Sequence, residues 1–254
     1  MRKAICCIFI AAFVGGCSSV PSSSESSSSI SGQSTDYEED LYADEFTQDP
    51  WEGFNRSVFT FNDTLDQYFL KPVATGYRFI TPDFVDTGVS NVFDNLKEPL
   101  VIVNDLLQGK FLQAGQDTLR FIVNSTVGIY GLFDVASKIS LPAHNEDFGQ
   151  TLGYWGVSSG PYLMLPIFGP TTVRDGLTII PNGYLNIVNE INPALDRNVA
   201  IATDVVDSRA DLIPLEAAAS GDRYIFIREA FLQTREYEVQ DGEVEDTFGD
   251  DDDD

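Results

Sequence analysis

Residues 156–160 read GVSSG and match G-x-S-x-G, the sharp turn that presents the nucleophilic serine in one class of hydrolases. If Ser158 is that nucleophile, a helix should follow the turn directly and a histidine should come later in the chain. Here Pro161 follows the motif, and the only histidine, His144, comes before the serine. A serine–lysine pair with Lys138 is a further hydrolytic arrangement. We predict that the chain is not an enzyme, and hydrolysis at Ser158 stays the alternative to be tested.

Composition argues against several other kinds of chemistry. The three cysteines, Cys6, Cys7 and Cys17, all lie near the start of the chain, and there is a single histidine. A zinc site with histidine or cysteine ligands is therefore not expected, and we predict neither a metal nor any other cofactor. The formal net charge of -25 argues against nucleic acid, because the chain would repel phosphates.

The first residues are typical of a targeting signal. Arg2 and Lys3 precede an apolar run over 4–14, and two glycines lead into Cys17. This pattern resembles a bacterial lipobox, which predicts a signal peptide over 1–16 and an acylated Cys17. An ordinary secretory signal, with Cys17 as a bystander, is the alternative. In lipoproteins, a serine directly after the cysteine implies sorting to the outer membrane of a Gram-negative cell.

Two acidic flanks surround a single predicted domain. Residues 17–48 are rich in serine and acids, so we predict a flexible tether after the lipidated cysteine. Residues 236–254 contain eleven acids and no base, which predicts a solvated, disordered tail. The domain between them, 49–235, has the composition of a folded core.

Apolar periodicity predicts that this domain is all-α. Asp49 suits the N-cap of a helix and Pro50 its first position, and the residues that follow place an apolar stripe on one helix face. Further helices are predicted over 93–107, over 111–127, after Pro193 and from Asp222. We expect Pro72 to end the first helical region, Pro99 to interrupt the second stripe and Gly109 to cap its end. No run of 18 apolar residues follows the signal, so no conventional membrane span is predicted. The stripe of the first helix consists of Trp51, Phe54, Val58, Phe61 and Leu65.

Two apolar stretches depart from a soluble helical pattern. Residues 121–136 contain two glycines, and residues 152–170 contain three prolines and no charged residue. Either these stretches are buried or they contact lipid headgroups and acyl chains, where tryptophan and tyrosine are favoured. The candidates for membrane contact are Tyr154, Trp155, Tyr162 and Phe168.

Five blocks, in order, carry a resemblance to a known family. They read DPWEGFNRSVFTFNDTLD (49–66), NLKEPLVIVNDLLQGK (95–110), RFIVNSTVGIYGLFDVAS (120–137), EDFGQTLGYWGVSSGPYLMLPIFGPTTVRDG (146–176) and DRYIFIREAFLQTREYE (222–238). Together they resemble the MlaA/VacJ lipoprotein family. The resemblance implies an all-helical ring of bent amphipathic helices in the inner leaflet of the outer membrane, with a central channel. It also implies no cofactor and no covalent chemistry.

The same resemblance implies a function and partners. Family members remove phospholipid misplaced in the outer leaflet of the outer membrane and pass it to a periplasmic carrier, MlaC. They associate with trimeric porins. A passive scaffold that ties porins to a periplasmic partner is the alternative function for this chain.

Several residues become candidates for a lipid path within such a ring. A headgroup needs polar side chains along its route, because a bare charge in hydrocarbon is costly. Ordinary capped or solvated polar residues and packing glycines are the alternatives. Arg174 either attracts a phosphate or is structural. The path candidates are Asn55, Asn62, Asp66, Asn124 and Ser125, and the gate or hinge candidates are Gly128, Gly131, Phe133 and Asp134.

Overall fold

The computed structural model describes residues 49–218 and 221–242. The predictions for the signal peptide, for Cys17 and the tether, and for most of the acidic tail lie outside these ranges. Within them the chain is mostly helical, which confirms the predicted class.

The first half of the domain is built from helices joined by short connections. Helix α1 continues through a π-helical turn into α2, and the long α3 packs against α4. The elements are α1 (Glu52–Leu65), the π-turn (Asp66–Leu70), α2 (Lys71–Ile80), α3 (Asp83–Gln108), α4 (Phe111–Thr126) and α5 (Val135–Lys138).

The second half adds a small β-hairpin between helices. Its strands are antiparallel, with Leu165 opposite Gly169. The elements are α6 (Phe148–Tyr154), β1 (Tyr162–Leu165), β2 (Gly169–Thr172), α7 (Val173–Leu185), a 3-10 turn (Ile187–Glu190), α8 (Ala194–Leu212), a second 3-10 turn (Ile213–Ala218) and α9 (Arg223–Val239).

Local sequence signals set several helix ends as predicted. Gly109 ends α3 with a φ of 78°, a left-handed conformation that glycine adopts freely. Asp222 caps α9 by accepting hydrogen bonds from the backbone N–H groups of Tyr224 and Ile225. The predicted cap at Asp49 is wrong. Helix α1 begins at Glu52, and the Asp49 carboxylate instead accepts from the Asn55 side chain.

Pro72 and Pro99 interrupt the helices less than expected. Pro72 lies in the first turn of α2, directly after the π-turn, and does not end the helical region. A π-turn widens the backbone spacing and so helps to accommodate the missing N–H and the bulk of the ring. Pro99 lies inside α3, which continues as one element from Asp83 to Gln108.

The last helix extends beyond the predicted boundary at residue 235. Helix α9 runs to Val239, and its final turns are held by contacts with the rest of the domain. Arg235 pairs with Asp147 and Asp175, and Lys110 pairs with Asp241 just beyond the helix. Residues 236–239 therefore belong to the folded domain.

The apolar core of the domain is small and lies where the hairpin meets α9. Tyr162, Met164 and Tyr224 are its fully buried members, and Phe231 packs edge-on against Tyr162. Within the described ranges, no helix has the length and apolar character that a membrane span needs.

Candidate functional site

Polarity in this domain is inverted relative to a soluble protein. Among the residues that the structure describes, the buried side chains include twenty-one polar or charged ones but only ten apolar ones, and forty large apolar side chains are exposed. Soluble proteins bury mainly apolar residues, because removing apolar surface from water is favourable. The described residues thus form a polar interior inside an apolar exterior.

The centre of this interior is a polar seam between α3 and α4. Buried polar residues recur along α3 at helical spacing, and a second set on α4 faces them. Arg120 joins the two sets, because its guanidinium donates to Glu98 at 3.3 Å and to the Leu141 carbonyl at 2.7 Å. The polar seam consists of Asn95, Glu98, Asp105 and Gln108 on α3 with Asp117, Arg120 and Asn124 on α4.

Several atoms of the polar seam have no partner among the described residues. They are Oδ1 of Asn95, Oε2 of Glu98 and both carboxylate oxygens of Asp105. Native proteins rarely leave buried polar atoms unpaired, so such atoms indicate bound water, protonation or a ligand. The polar seam therefore has hydrogen-bonding capacity that the rest of the described chain does not fill.

Burial changes the proton affinity of the seam carboxyls. It raises the pKa of Asp105 to about 8, and the neighbouring Asp117 carboxylate adds to this shift. It also raises the pKa of Glu98 to about 7, with further repulsion from Asp117 and partial compensation by Arg120. His144 contacts Asp117 through Nδ1, at 2.8 Å from Oδ2. At neutral pH, Asp105 therefore keeps its proton and can donate it to Asp117.

Two path candidates, Asn124 and Ser125, lie at one end of the polar seam. Asn124 donates to Asp134 at 3.0 Å and accepts from the Ala136 backbone N–H at 2.9 Å. Ser125 accepts from the Asn95 side chain at 2.9 Å. Both residues thus tie the end of α4 to its neighbours, and Asn124 fixes the turn that follows.

This turn, 127–134, contains the four gate candidates. Asp134 caps α5 and also pairs with Arg120, while Phe133 is half exposed. Ile129 and Tyr130 have φ values of 55° and 58°, which are strained for residues with a β-carbon and especially for a β-branched one. Local backbone strain of this kind is concentrated at functional sites.

The two glycines of the turn are required by close packing. A β-carbon on Gly128 would lie 2.2 Å from the Phe133 carbonyl oxygen, and one on Gly131 would lie 2.6 Å from Cβ of Asn95. Gly131 also has a φ of 89°. The packing alternative therefore accounts for both glycines in this conformation, and a hinge role stays a prediction.

We predict that Gly128→Ala destabilises the protein by at least about 2 kcal/mol, because the new methyl group meets rigid backbone. Thermal or urea unfolding in detergent measures the change. Gly115→Ala in α4 is the matched control, because nothing lies within 4 Å of its added β-carbon. That control should stabilise the helix by about 0.5–1 kcal/mol. Equal stability of the two variants would contradict the packing that we describe.

The two path candidates on α1, Asn55 and Asn62, form hydrogen bonds with the hairpin and do not face an open space. Asn55 is fully buried; it donates to the Tyr162 carbonyl at 3.1 Å and accepts from the Met164 N–H at 2.9 Å. Asn62 bonds in the same way to the Leu165 carbonyl and the Ile167 N–H. With no accessible surface, Asn55 cannot contact a headgroup in this conformation.

Asp66 is likewise engaged in a structural pair. Its carboxylate accepts two parallel hydrogen bonds from Arg209 of α8, at 2.7 and 2.8 Å. Arg209 also pairs with Glu216, which binds Lys71. This ion-pair network joins the π-turn to α8 and the second 3-10 turn.

The membrane-contact candidates divide into two groups. Tyr154, Trp155 and Phe168 are more than half exposed, as lipid contact requires. Tyr162 is fully buried against Tyr224 and Phe231, so its place among these candidates is wrong. Alternation along β1 explains the difference, because Tyr162 and Met164 both point inward.

The hydrolase motif lies in an exposed connection between α6 and β1. Ser158 follows no strand and precedes no helix, unlike the serine of a nucleophile elbow. Among the hydrogen bonds of the described residues, His144 pairs with Asp117, and none involves the Ser158 side chain. Arg174 pairs with Asp175 and donates to the Val157 carbonyl, which favours the structural alternative for it.

Sequence reasoning missed most of the polar seam. Glu98, Asp105, Asp117 and Arg120 were not singled out, although their types and spacing are visible in the sequence. One signal in the sequence could have predicted them. Acids and amides recur at helical spacing on the side of the helix opposite the apolar stripe. In a water-soluble protein, that side would be solvated and would carry no information.

The helices enclose a polar interior and expose an apolar exterior. These features define a class of helical proteins whose outer surface suits contact with lipid. Comparison with known proteins gives the family. The family model described as "MlaA lipoprotein" matches residues 47–238, and the chain therefore belongs to the MlaA lipoprotein family.

Individual relatives and a solved structure agree with this assignment. The Escherichia coli K12 "Intermembrane phospholipid transport system lipoprotein MlaA" is 34% identical over 202 residues, which cover 77% of this chain and 80% of that protein. The Haemophilus influenzae protein of the same name is 34% identical over 203 residues, covering 77% and 81%. A Rickettsia felis protein is 41% identical over 197 residues, covering 76% and 78%.

The solved structure is described as "Structural basis for maintenance of bacterial outer membrane lipid asymmetry". It matches with a TM-score of 0.67 at 34% identity and covers 75% of this chain and 98% of that chain. The resemblance to the MlaA/VacJ family is thereby confirmed.

Proposed function

We propose that this protein transports phospholipid between the membranes of a Gram-negative cell. It removes phospholipid misplaced in the outer leaflet of the outer membrane and passes it to a periplasmic carrier, which maintains lipid asymmetry. Relatives named as intermembrane phospholipid transport lipoproteins support this function. The observation that carries it is the inverted polarity of the domain, with polar residues inside and apolar residues outside.

The domain lies in the inner leaflet as a ring, with acyl chains against its apolar exterior and a central channel inside. A headgroup must cross the hydrocarbon region, where an unpaired charge is costly. Its route therefore needs polar side chains as partners. Unpaired buried oxygens of Asn95, Glu98 and Asp105 offer hydrogen-bonding sites to water in this conformation, and to a headgroup when the polar seam opens. The polar seam is thus the best supported part of the path, and Asn124 and Ser125 lie at its end.

The turn 127–134 controls access to this path. Of its two strained residues, Tyr130 donates its backbone N–H to the Ser125 carbonyl at the end of α4, and Ile129 accepts from the Leu132 N–H within the turn. A strained turn has a nearby relaxed alternative, so it suits a part that opens and closes. Gly128, Gly131, Phe133 and Asp134 act in that movement.

Family membership supports a proposed anchor and proposed partners. Cleavage after residue 16 and acylation of Cys17 hold the protein in the outer membrane, facing the periplasm. The tether 17–48 lets the domain find its place in the leaflet. The periplasmic carrier is of the MlaC type, and trimeric porins hold the ring in position. Transfer uses no cofactor and breaks no covalent bond.

Complementation of a strain that lacks the gene tests the transport function. Outer-leaflet phosphatidylethanolamine is measured with a membrane-impermeant amine reagent, and porin association by pulldown. Ser125→Phe places a bulky ring at the end of the polar seam. Its exposed neighbour gives the matched control, Thr126→Phe. We expect Ser125→Phe to leave outer-leaflet phospholipid high while porin pulldown is kept, and Thr126→Phe to restore asymmetry.

Other outcomes identify the alternatives. If wild type fails to restore asymmetry but binds porin, the protein is a scaffold. If both aromatic variants restore asymmetry at wild-type protein levels, the path does not pass Ser125. A third variant, Ser158→Ala, should complement fully. Its failure, together with lysophospholipid made only by wild type, would identify a phospholipase.

A further inference from the structure

The turn of the β-hairpin, Pro166–Ile167–Phe168, is unusual for a turn that faces water. All three side chains are apolar and exposed, with 75% of Ile167 and 72% of Phe168 accessible. Hairpin turns in water favour asparagine, aspartate and glycine. Ile167 also has a φ of 71°, which is costly for a β-branched side chain. The hairpin tip, defined as residues 166–168, therefore combines strain with exposed apolar surface.

Two asparagines hold this hairpin as an additional strand would. Asn55 and Asn62 lie seven residues apart on α1, so they share one helix face. Each amide bonds both a carbonyl and an N–H along β1 and its turn. The Asn62 pair brackets the hairpin tip, because it accepts from Ile167 at 2.8 Å and donates to Leu165 at 2.9 Å. Asn62 thus holds the strained residue in place.

The residues around the hairpin tip are uncharged and apolar, as expected for a surface in contact with lipid and not with water. No charged residue occurs between Phe148 and Val173. Helix α1, which holds the tip, exposes the apolar residues Phe54, Phe61 and Leu65 on its outer side. The hairpin tip is therefore continuous with the apolar exterior of the domain. The chain belongs to a lipoprotein family, so lipid is the expected environment of that exterior.

We propose that the hairpin tip is immersed in the acyl chains of the membrane and that Asn62 is the positioning residue that fixes its depth. The partner is the hydrocarbon of the bilayer, not a headgroup and not another protein. Phe168 contacts acyl chains, and the left-handed Ile167 directs a second apolar side chain out of the turn. This inference rests on the membrane placement in the proposed function, but it does not require transport.

Spin labelling of the full lipoprotein in vesicles of phosphatidylethanolamine and phosphatidylglycerol tests the immersion. Residues 18–254 contain no cysteine, so a nitroxide can be placed on Phe168→Cys alone. We expect this label to be accessible to oxygen and protected from a water-soluble nickel complex. A label on Phe79→Cys, an exposed apolar site on α2, reports membrane placement of the domain. A label on Gln233→Cys, beside charged residues of α9, is the reference for water.

Asn62→Ala in the Phe168→Cys background tests the positioning role. We expect a more mobile label and loss of the oxygen-over-nickel excess, while the thermal unfolding midpoint stays near that of the parent. If Asn62→Ala does not fold, Asn62→Asp replaces it, since aspartate keeps the acceptor for Ile167 and loses the donor to Leu165.

Each of the other possible outcomes refutes a specific part of the proposal. A nickel-accessible label at residue 168, with residue 79 in lipid, refutes immersion of the hairpin tip and leaves the proposed function standing. Nickel access at both positions refutes the membrane placement as well. A lipid-immersed label that does not respond to either Asn62 variant refutes the positioning role.

Discussion

Replacing Arg235 with methionine is expected to lower the free energy of unfolding by about 3–5 kcal/mol, the usual effect of removing one partner of a buried ion pair. Arg235 lies on α9, and its side chain is about nine-tenths buried. It donates to Asp175 at 2.9 Å and to Asp147 at 2.6 Å. Those two acids start α7 and α6, so one guanidinium joins three helices.

The size of the effect comes from the charges that remain. Ion pairs and hydrogen bonds with Arg235 and Arg174 overcome the opposing effect of burial and lower the pKa of Asp175. Without Arg235, a buried carboxylate loses its main partner. A β-carbon on Gly149 would lie 2.2 Å from a guanidinium nitrogen of Arg235, so the site is also closely packed.

Arg223→Met on the same helix is the matched control. Arg223 also pairs with an aspartate, Asp63, at 2.6 Å, but 45% of its side chain is exposed. Exposed ion pairs contribute at most about 1 kcal/mol. Urea unfolding of both variants in detergent, followed by circular dichroism, measures the difference. Similar losses for Arg235→Met and Arg223→Met would show that burial does not determine the strength of these pairs.

Local signals in the sequence predicted where helices occur and end, but they did not predict which side of each helix is buried. Glycine at 109 and aspartate at 222 act on the adjacent backbone, so their effects could be predicted without knowing the fold. The apolar stripe of α1 also predicted a helix correctly. Its members Phe54 and Phe61 are nevertheless exposed, while Asn55 on the opposite side is buried. Periodicity predicts an amphipathic helix, but the surrounding solvent decides which side is buried.

Long-range partners explain the rest of what the sequence did not reveal. The hairpin has two four-residue strands, and Asn55, which pairs with β1, is 107 residues away. The polar seam depends on Glu98 and Arg120 meeting across α3 and α4. No local pattern specifies such contacts. For the same reason, Asn55 and Asn62 were assigned to a lipid path, although their amides are occupied by the hairpin.

The stability of this protein is expected to fall as the pH rises from about 5 to 8. The folded state raises the pKa of Asp105 from 3.8 to about 8 and that of Glu98 from 4.5 to about 7. Between these values the folded state binds more protons than the unfolded state, so raising the pH favours unfolding. The stabilisation is complete below the unfolded pKa values and is lost through the folded ones. Each group contributes a slope of about 1.4 kcal/mol per pH unit in its own window.

The physical cause is the crowding of acids in the polar seam. Asp105 faces Asp117 and Glu146, and Lys110 compensates only in part. Glu98 faces Asp117 and Asp94, with Arg120 opposing them. Ionising Asp105 places a second negative charge beside Asp117 in a buried site, which loosens the contact between α3 and α4.

Asp105→Asn isolates the larger of the two contributions. An amide resembles the protonated carboxyl in shape and can donate to Asp117, but it cannot ionise. Urea unfolding between about pH 5 and pH 9 should therefore give a shallower slope for this variant and greater stability than wild type above about pH 8. Asp83→Asn, an exposed acid at the start of the same helix, should follow wild type. If Asp105→Asn keeps the full slope, the pair of Asp105 and Asp117 does not share a proton, and the unpaired oxygens of Asp105 need another partner.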